Sequence, residues 1–148
     1  MKRWCYSPLE IILTVFVFAV LSTLFIPTGR LVTPRRTACA HNLMQLYKLG
    51  TVYSSTHKGE WPDVSGEELW LSFTKTTPPL IAPEYIDLLA CPLRDEECEP
   101  GRTHYFGPKV PYKKLGYDEP LGGDKPGNHG EEGGYVLFKD GRVEEGRR

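Results

Sequence analysis

The chain has 148 residues, room for one modest domain once any apolar segment is set aside. Its 18 Lys+Arg nearly balance 19 Asp+Glu, for a formal net charge of -1, so no strongly basic face is implied and nucleic acid is not an expected partner. The 15 Gly and 13 Pro fall mostly after Gly59, which predicts a C-terminal half of turns and short strands with little helix.

Lys2 and Arg3 precede an apolar run in which Ile11–Ile26 carries no charge. As a helix that run covers about 24 Å, short of the roughly 30 Å hydrocarbon core. Extending it from Ser7 to Thr28 gives about 33 Å and takes in Glu10. A carboxylate in such a segment costs up to about 2.5–3.5 kcal/mol at bilayer centre and less near the interface. A secretory signal peptide also starts with a basic pair and an apolar run. However, "LSTLFIP" lacks small residues at cleavage offsets, and "ACA" at 38–40 lies too far downstream.

Pro27, Gly29 and Pro34 predict a bend or unwound patch. Thr33-Pro34 then reads as a helix start, with Thr as cap and Pro at the first helical position. Cys39, Leu43, Leu46, Gly50 and Tyr53 recur at helical spacing and form a core stripe. Gly59 and Pro62 end that helix. His41 and His57 read as surface residues. "EELWLSF" (67–73) fits a short helix or buried turn, and "TTPPLIAP" neither helix nor central strand. "THYFG" and "KVPY" read as short strands. "GYVLFKDGRVEE" reads as a hairpin, with strands at 135–138 and 142–144 and a two-residue type I′ turn at Asp140-Gly141.

The N-terminal pattern resembles type IV prepilins and type II secretion pseudopilins. In this chain the basic leader is Lys2 and Arg3, the aromatic is Tyr6, the acid four residues on is Glu10, and the helix-interrupting Pro is Pro27. Where the family has Gly before the aromatic, this chain has Cys5. The resemblance implies cleavage by a prepilin peptidase before Tyr6, methylation of the new amine, and a Glu10 that docks the subunit on a neighbour during assembly. "RRTACAHNLMQLYKLGTVYSSTHKGEWP", "LACP" and a late His before Asp-Gly also resemble pseudopilin-like proteins of planctomycete-type bacteria. Here "HGEEGGYVLFKDG" sets ten residues between His129 and Asp140, one more than that group's pattern.

The implied architecture is α+β and pilin-like, a long N-terminal helix with its first half in the membrane, packed on a small antiparallel sheet head. The divisions are a leader-like segment at 1–5, a transmembrane helix at 6–28, an amphipathic helix at 29–58 and a turn-rich head at 59–148. The implied function is that of a structural subunit. Its partners are other pilin-like subunits and an inner-membrane assembly platform. It is single-pass in the cytoplasmic membrane, with its head in the periplasm or an extracellular filament. An uncleaved, membrane-anchored periplasmic binding module is the alternative, and a secreted enzyme a third reading.

Four Cys, at 5, 39, 91 and 98, bear on the head. Outside the cytoplasmic membrane disulfides are permitted. A Cys91–Cys98 bridge would close a short loop, worth about 2–3 kcal/mol in the chain-entropy model. The resemblance favours Cys39–Cys91 as the rival, because both positions recur in that group. A zinc set of Cys91, Cys98 and His104, with Cys39 or His129, matches no short paired-ligand spacing, and no metal or cofactor is expected. Asp118, Glu119 and Asp124 match no calcium motif. There is no nucleophile elbow for a Cys–His hydrolase and no expected catalytic residue.

Overall fold

The computed structural model describes residues 32–94, 98–99, 101–130 and 133–146, with side chains from Thr37. The expected leader at 1–5, the span at 6–28, and with them Cys5, Tyr6 and Glu10, lie outside the described residues. Among those described, no helix is long and apolar enough to cross a membrane. Residues 32–148 form one compact unit.

Helix α1 runs Val32–Thr56, so Thr33 and Pro34 sit in its first turn, where Pro costs no intrahelical hydrogen bond. Its stripe is as the periodicity requires: Cys39, Leu43, Leu46 and Gly50 are buried and Tyr53 half-buried, with Thr37, His41, Met44 and Lys48 exposed between them. Lys58 takes a left-handed backbone (φ 57°), and the Gly59 N–H reaches back to the Ser54 carbonyl at 2.8 Å. That return bond satisfies one of the carbonyls a helix end leaves open.

A short helix α2 follows at Glu68–Ser72 and a 3-10 helix at Pro83–Leu89. Four antiparallel strands complete the unit: β1 Tyr105–Phe106, β2 Pro120–Asp124, β3 Tyr135–Phe138 and β4 Val143–Glu145. They pair in sequence order as a meander, with Phe106 opposite Gly123, Gly123 opposite Val136 and Leu137 opposite Val143. A bulge interrupts β2 between Pro120 and Gly122. α1 packs on β2, β3, β4 and the Pro83–Leu89 helix. The core between these layers holds Leu43, Leu46, Trp61, Trp70, Phe73, Tyr105, Leu121 and Leu137. The fold is thus α+β, one main helix on a four-stranded antiparallel sheet.

Two local readings change, and one strand had no reading in the sequence. "KVPY" is not a strand: Tyr112–Lys114 forms a 3-10 turn, and Tyr112 stacks on Trp61 at 4.2 Å between ring centres. "PLGGD" is a strand that its Pro and glycines concealed. A Cβ on Gly122 would meet the Trp70 ring at 2.5 Å and the Phe106 carbonyl at 2.7 Å. Packing therefore demands glycine where β propensity disfavours it. The hairpin turn also shifts. Gly141 donates to the Phe138 carbonyl at 3.0 Å and Phe138 to the Arg142 carbonyl at 2.8 Å, which encloses a three-residue loop. Only Gly141 is left-handed (φ 87°), whereas type I′ needs positive φ at both central residues. The turn is therefore the three-residue form with a glycine bulge. Asp140 Oδ1 fixes it by accepting from the Arg142 N–H at 2.9 Å.

Candidate functional site

Four polar side chains converge at one end of the buried α1 face: Cys39, Cys91, Asp124 and His129. Each comes from a different segment. Cys39 opens the core stripe of α1. Cys91 follows the Pro83–Leu89 helix and is held by bonds to the approach of β1. Thr103 Oγ1 and the His104 N–H both donate to the Leu89 carbonyl, at 3.0 and 2.9 Å. The Cys91 N–H donates to His104 Nδ1 at 3.0 Å. Asp124 is the last residue of β2, opposite Tyr105. His129 lies in the following loop, which Asn128 Nδ2 and the Lys125 N–H tie to the His104 carbonyl at 2.6 and 3.1 Å.

The four ligand-type atoms all lie within 4.8 Å of one another. Cys39 Sγ and Cys91 Sγ are 2.9 Å apart, Cys91 Sγ and His129 Nε2 3.7 Å, and His129 Nε2 and Asp124 Oδ2 3.0 Å. Burial is nearly complete, with side-chain exposure of 0% for Asp124 and 2% for His129. The Tyr135 N–H donates to Asp124 Oδ2 at 2.8 Å. Gly134 has no side chain because a Cβ would sit 2.5 Å from Asp124 Cβ. Two atoms of the cluster, Asp124 Oδ1 and His129 Nδ1, are buried with no hydrogen-bond partner. Beside it, the buried Tyr105 hydroxyl donates to the Ala90 carbonyl at 3.1 Å and accepts from Asn42 Nδ2 at 3.3 Å.

The two thiols are inequivalent. The hydrogen bond between them brings the Cys91 thiol down to about 7, against the opposing effect of burial. The same bond, then burial, pushes the Cys39 thiol far up.

Of the expected pairings, the structure brings Cys39 to Cys91. Cys98 is directed elsewhere, its Sγ 3.1 Å from the Arg102 carbonyl and 3.8 Å from that of Leu89. Cys39, Cys91 and Cys98 are all free thiols here. Of the zinc set considered from sequence, Cys39, Cys91 and His129 meet, while Cys98 and His104 are not in the cluster. The acidic trio divides: Asp118 and Glu119 are exposed just before β2, and Asp124 is buried at its far end. Asp124 as a partner of the cysteines was missed, since nothing local marks a strand-end Asp whose partner stands beside it only after the meander forms. The geometry does not make a hydrolase triad. A single imidazole nitrogen faces both the carboxylate and the thiol, leaving Nδ1 without the carboxylate that would orient the ring.

Comparisons with protein-family models, with curated proteins and with solved structures gave no match.

Proposed function

We propose that the chain is a structural, pilin-like subunit of a type II secretion or type IV pilus-like envelope assembly, without substrate turnover. The observation that carries this reading is an order along the chain. An apolar run with one carboxylate at its mouth is followed by a helix with one buried face, then by the antiparallel sheet covering that face. In this reading the apolar run is a membrane-inserted first half of the helix and the head is periplasmic. Assembly proceeds by lateral packing of apolar helices. Glu10 sets the register, because a neighbour's positive charge offsets its cost in hydrocarbon.

Glu10→Gln tests this reading at nearly constant side-chain shape. Membrane insertion and head folding should persist, and in-membrane crosslinks between neighbouring N-terminal helices should be lost. Crosslinking at wild-type levels would sink the assembly role. A second reading, an uncleaved anchored binding module, is favoured by Cys5 where the resembling family has Gly. N-terminal sequencing of the mature protein separates the two: Tyr6 first supports the subunit, Met1 the anchor.

A further inference from the structure

We propose that Cys39, Cys91, Asp124 and His129 form a structural site for one zinc-class divalent cation, which clamps α1 to the end of β2 and its following loop. The donor set is two sulfurs, one imidazole nitrogen and one carboxylate oxygen. Such a set selects a borderline-soft ion such as Zn²⁺ over the all-oxygen preference of Ca²⁺ and Mg²⁺.

The dimensions agree. Tetrahedral coordination with metal–sulfur bonds of about 2.3 Å and metal–N or –O bonds of about 2.0–2.2 Å sets ligand atoms roughly 3.3–3.8 Å apart. Cys91 Sγ and His129 Nε2 already stand at 3.7 Å, and all four donors fit within 4.8 Å. Loading requires the two sulfurs to open from 2.9 Å to about 3.8 Å, and His129 Nε2 and Asp124 Oδ2 from 3.0 Å to about 3.3 Å, rotamer-scale adjustments. Both thiols give up their protons to solvent on binding.

Burial carries the inference further than distance does. A carboxylate whose side chain is 0% exposed, with Oδ1 unpartnered, is expensive unless a cation compensates it. A Cys39–Cys91 disulfide would account for two of the four residues and leave that carboxylate beside a buried imidazole. One divalent cation takes a donor atom from each of the four and compensates the buried carboxylate. The outer contacts suit a metal site as well: the Tyr135 N–H orients the carboxylate and the His104 ring receives the Cys91 N–H. All four positions are protein and buried, so the site is closed and structural.

The test uses the full-length chain in detergent, stripped with chelator under reductant and titrated with Co²⁺ and then Zn²⁺. Expected are one Co²⁺ per chain, the strong visible d–d bands of a tetrahedral ion, a sulfur-to-metal charge-transfer band in the near ultraviolet, and displacement of all three by Zn²⁺. Asp124→Asn and His129→Gln, checked for folding by circular dichroism, should weaken binding about 100-fold or more, while Cys98→Ser should leave it unchanged. Three results would overturn the site: no saturable Co²⁺ uptake by folded protein, a spectrum unaltered in Cys39→Ser, or a Cys39–Cys91 disulfide with no bound metal in protein isolated without reductant. Because the readout is metal on the head, it stands or falls independently of the Glu10 crosslinking.

Discussion

The buried face of α1 meets the head at two places about 16 Å apart along its axis, and they are fastened in different ways. At Gly50 the contact is one of shape. The Trp61 ring lies where a Gly50 side chain would be, with ring carbons 2.0–2.5 Å from an ideal Cβ. The same indole stacks on Tyr112 and lies 5.7 Å from Tyr47 between ring centres. At Cys39 the contact is one of chemical state, since two thiols, a carboxylate and an imidazole meet in a buried cluster. An apolar contact of the first kind is indifferent to reductant, chelator and moderate pH. The second kind depends on all three. One helix face can therefore hold a permanent fastening and a conditional one.

Substitutions at the aromatic end should have the largest effects. Trp61→Ala removes a ring from the core and should cost about 3–5 kcal/mol, read by denaturant melts and equal with or without chelator. A chelator-dependent cost would break the distinction between the two ends. Gly50→Ala comes next: it forces the Trp61 ring aside and should cost about 1–3 kcal/mol through overpacking. In the Trp61→Ala background the same change should cost nothing, and even return up to about 1 kcal/mol of helix propensity. Additive effects in that cycle would remove the notch as the explanation. Gly141→Val should destabilise by about 1–3 kcal/mol, because φ is 87° and the new Cβ would meet the Tyr47 ring at 2.6 Å. An unchanged thermal melt would rule out the turn as described.

The smallest effect sharpens the polar end. Burial raises the Tyr105 phenol well above its ordinary value, so the folded chain keeps a proton that the unfolded chain releases near pH 10. Its contribution is whole below about pH 10 and declines as pH climbs from there toward the raised folded value. Tyr105→Phe should cost about 1 kcal/mol at pH 7 and flatten the stability decline above pH 10. An unaltered alkaline slope would mean that this phenol ionises freely in the folded state.

The α1 stripe was legible in sequence because an amphipathic helix writes its burial at a fixed local period, and Cys39, Leu43, Leu46 and Gly50 obey it. The β3–β4 hairpin was legible from its alternation and its Asp-Gly. The turn type was not, since the same dipeptide serves a three-residue loop when its Asp keeps a negative φ. β2 was concealed for a different reason. Its glycines answer to Trp70 and Phe106, neighbours that sequence spacing does not reveal. The polar cluster was the least legible feature. Cys39 and Cys91 lie 52 residues apart, and Asp124 and His129 are set by a strand end and a loop with no ligand spacing to announce them.

Gly50 and Trp61 also have a mechanical meaning. A smooth apolar face would let a pulled helix creep along its seat, trading one set of contacts for the next. An indole lodged in the missing side chain of Gly50 works as a detent. To slide by one turn, about 5.4 Å, the ring must climb out past Leu46 or Tyr53 in an interior with little free volume to receive it. Tension along α1 should thus be met by a stiff hold and then an abrupt release.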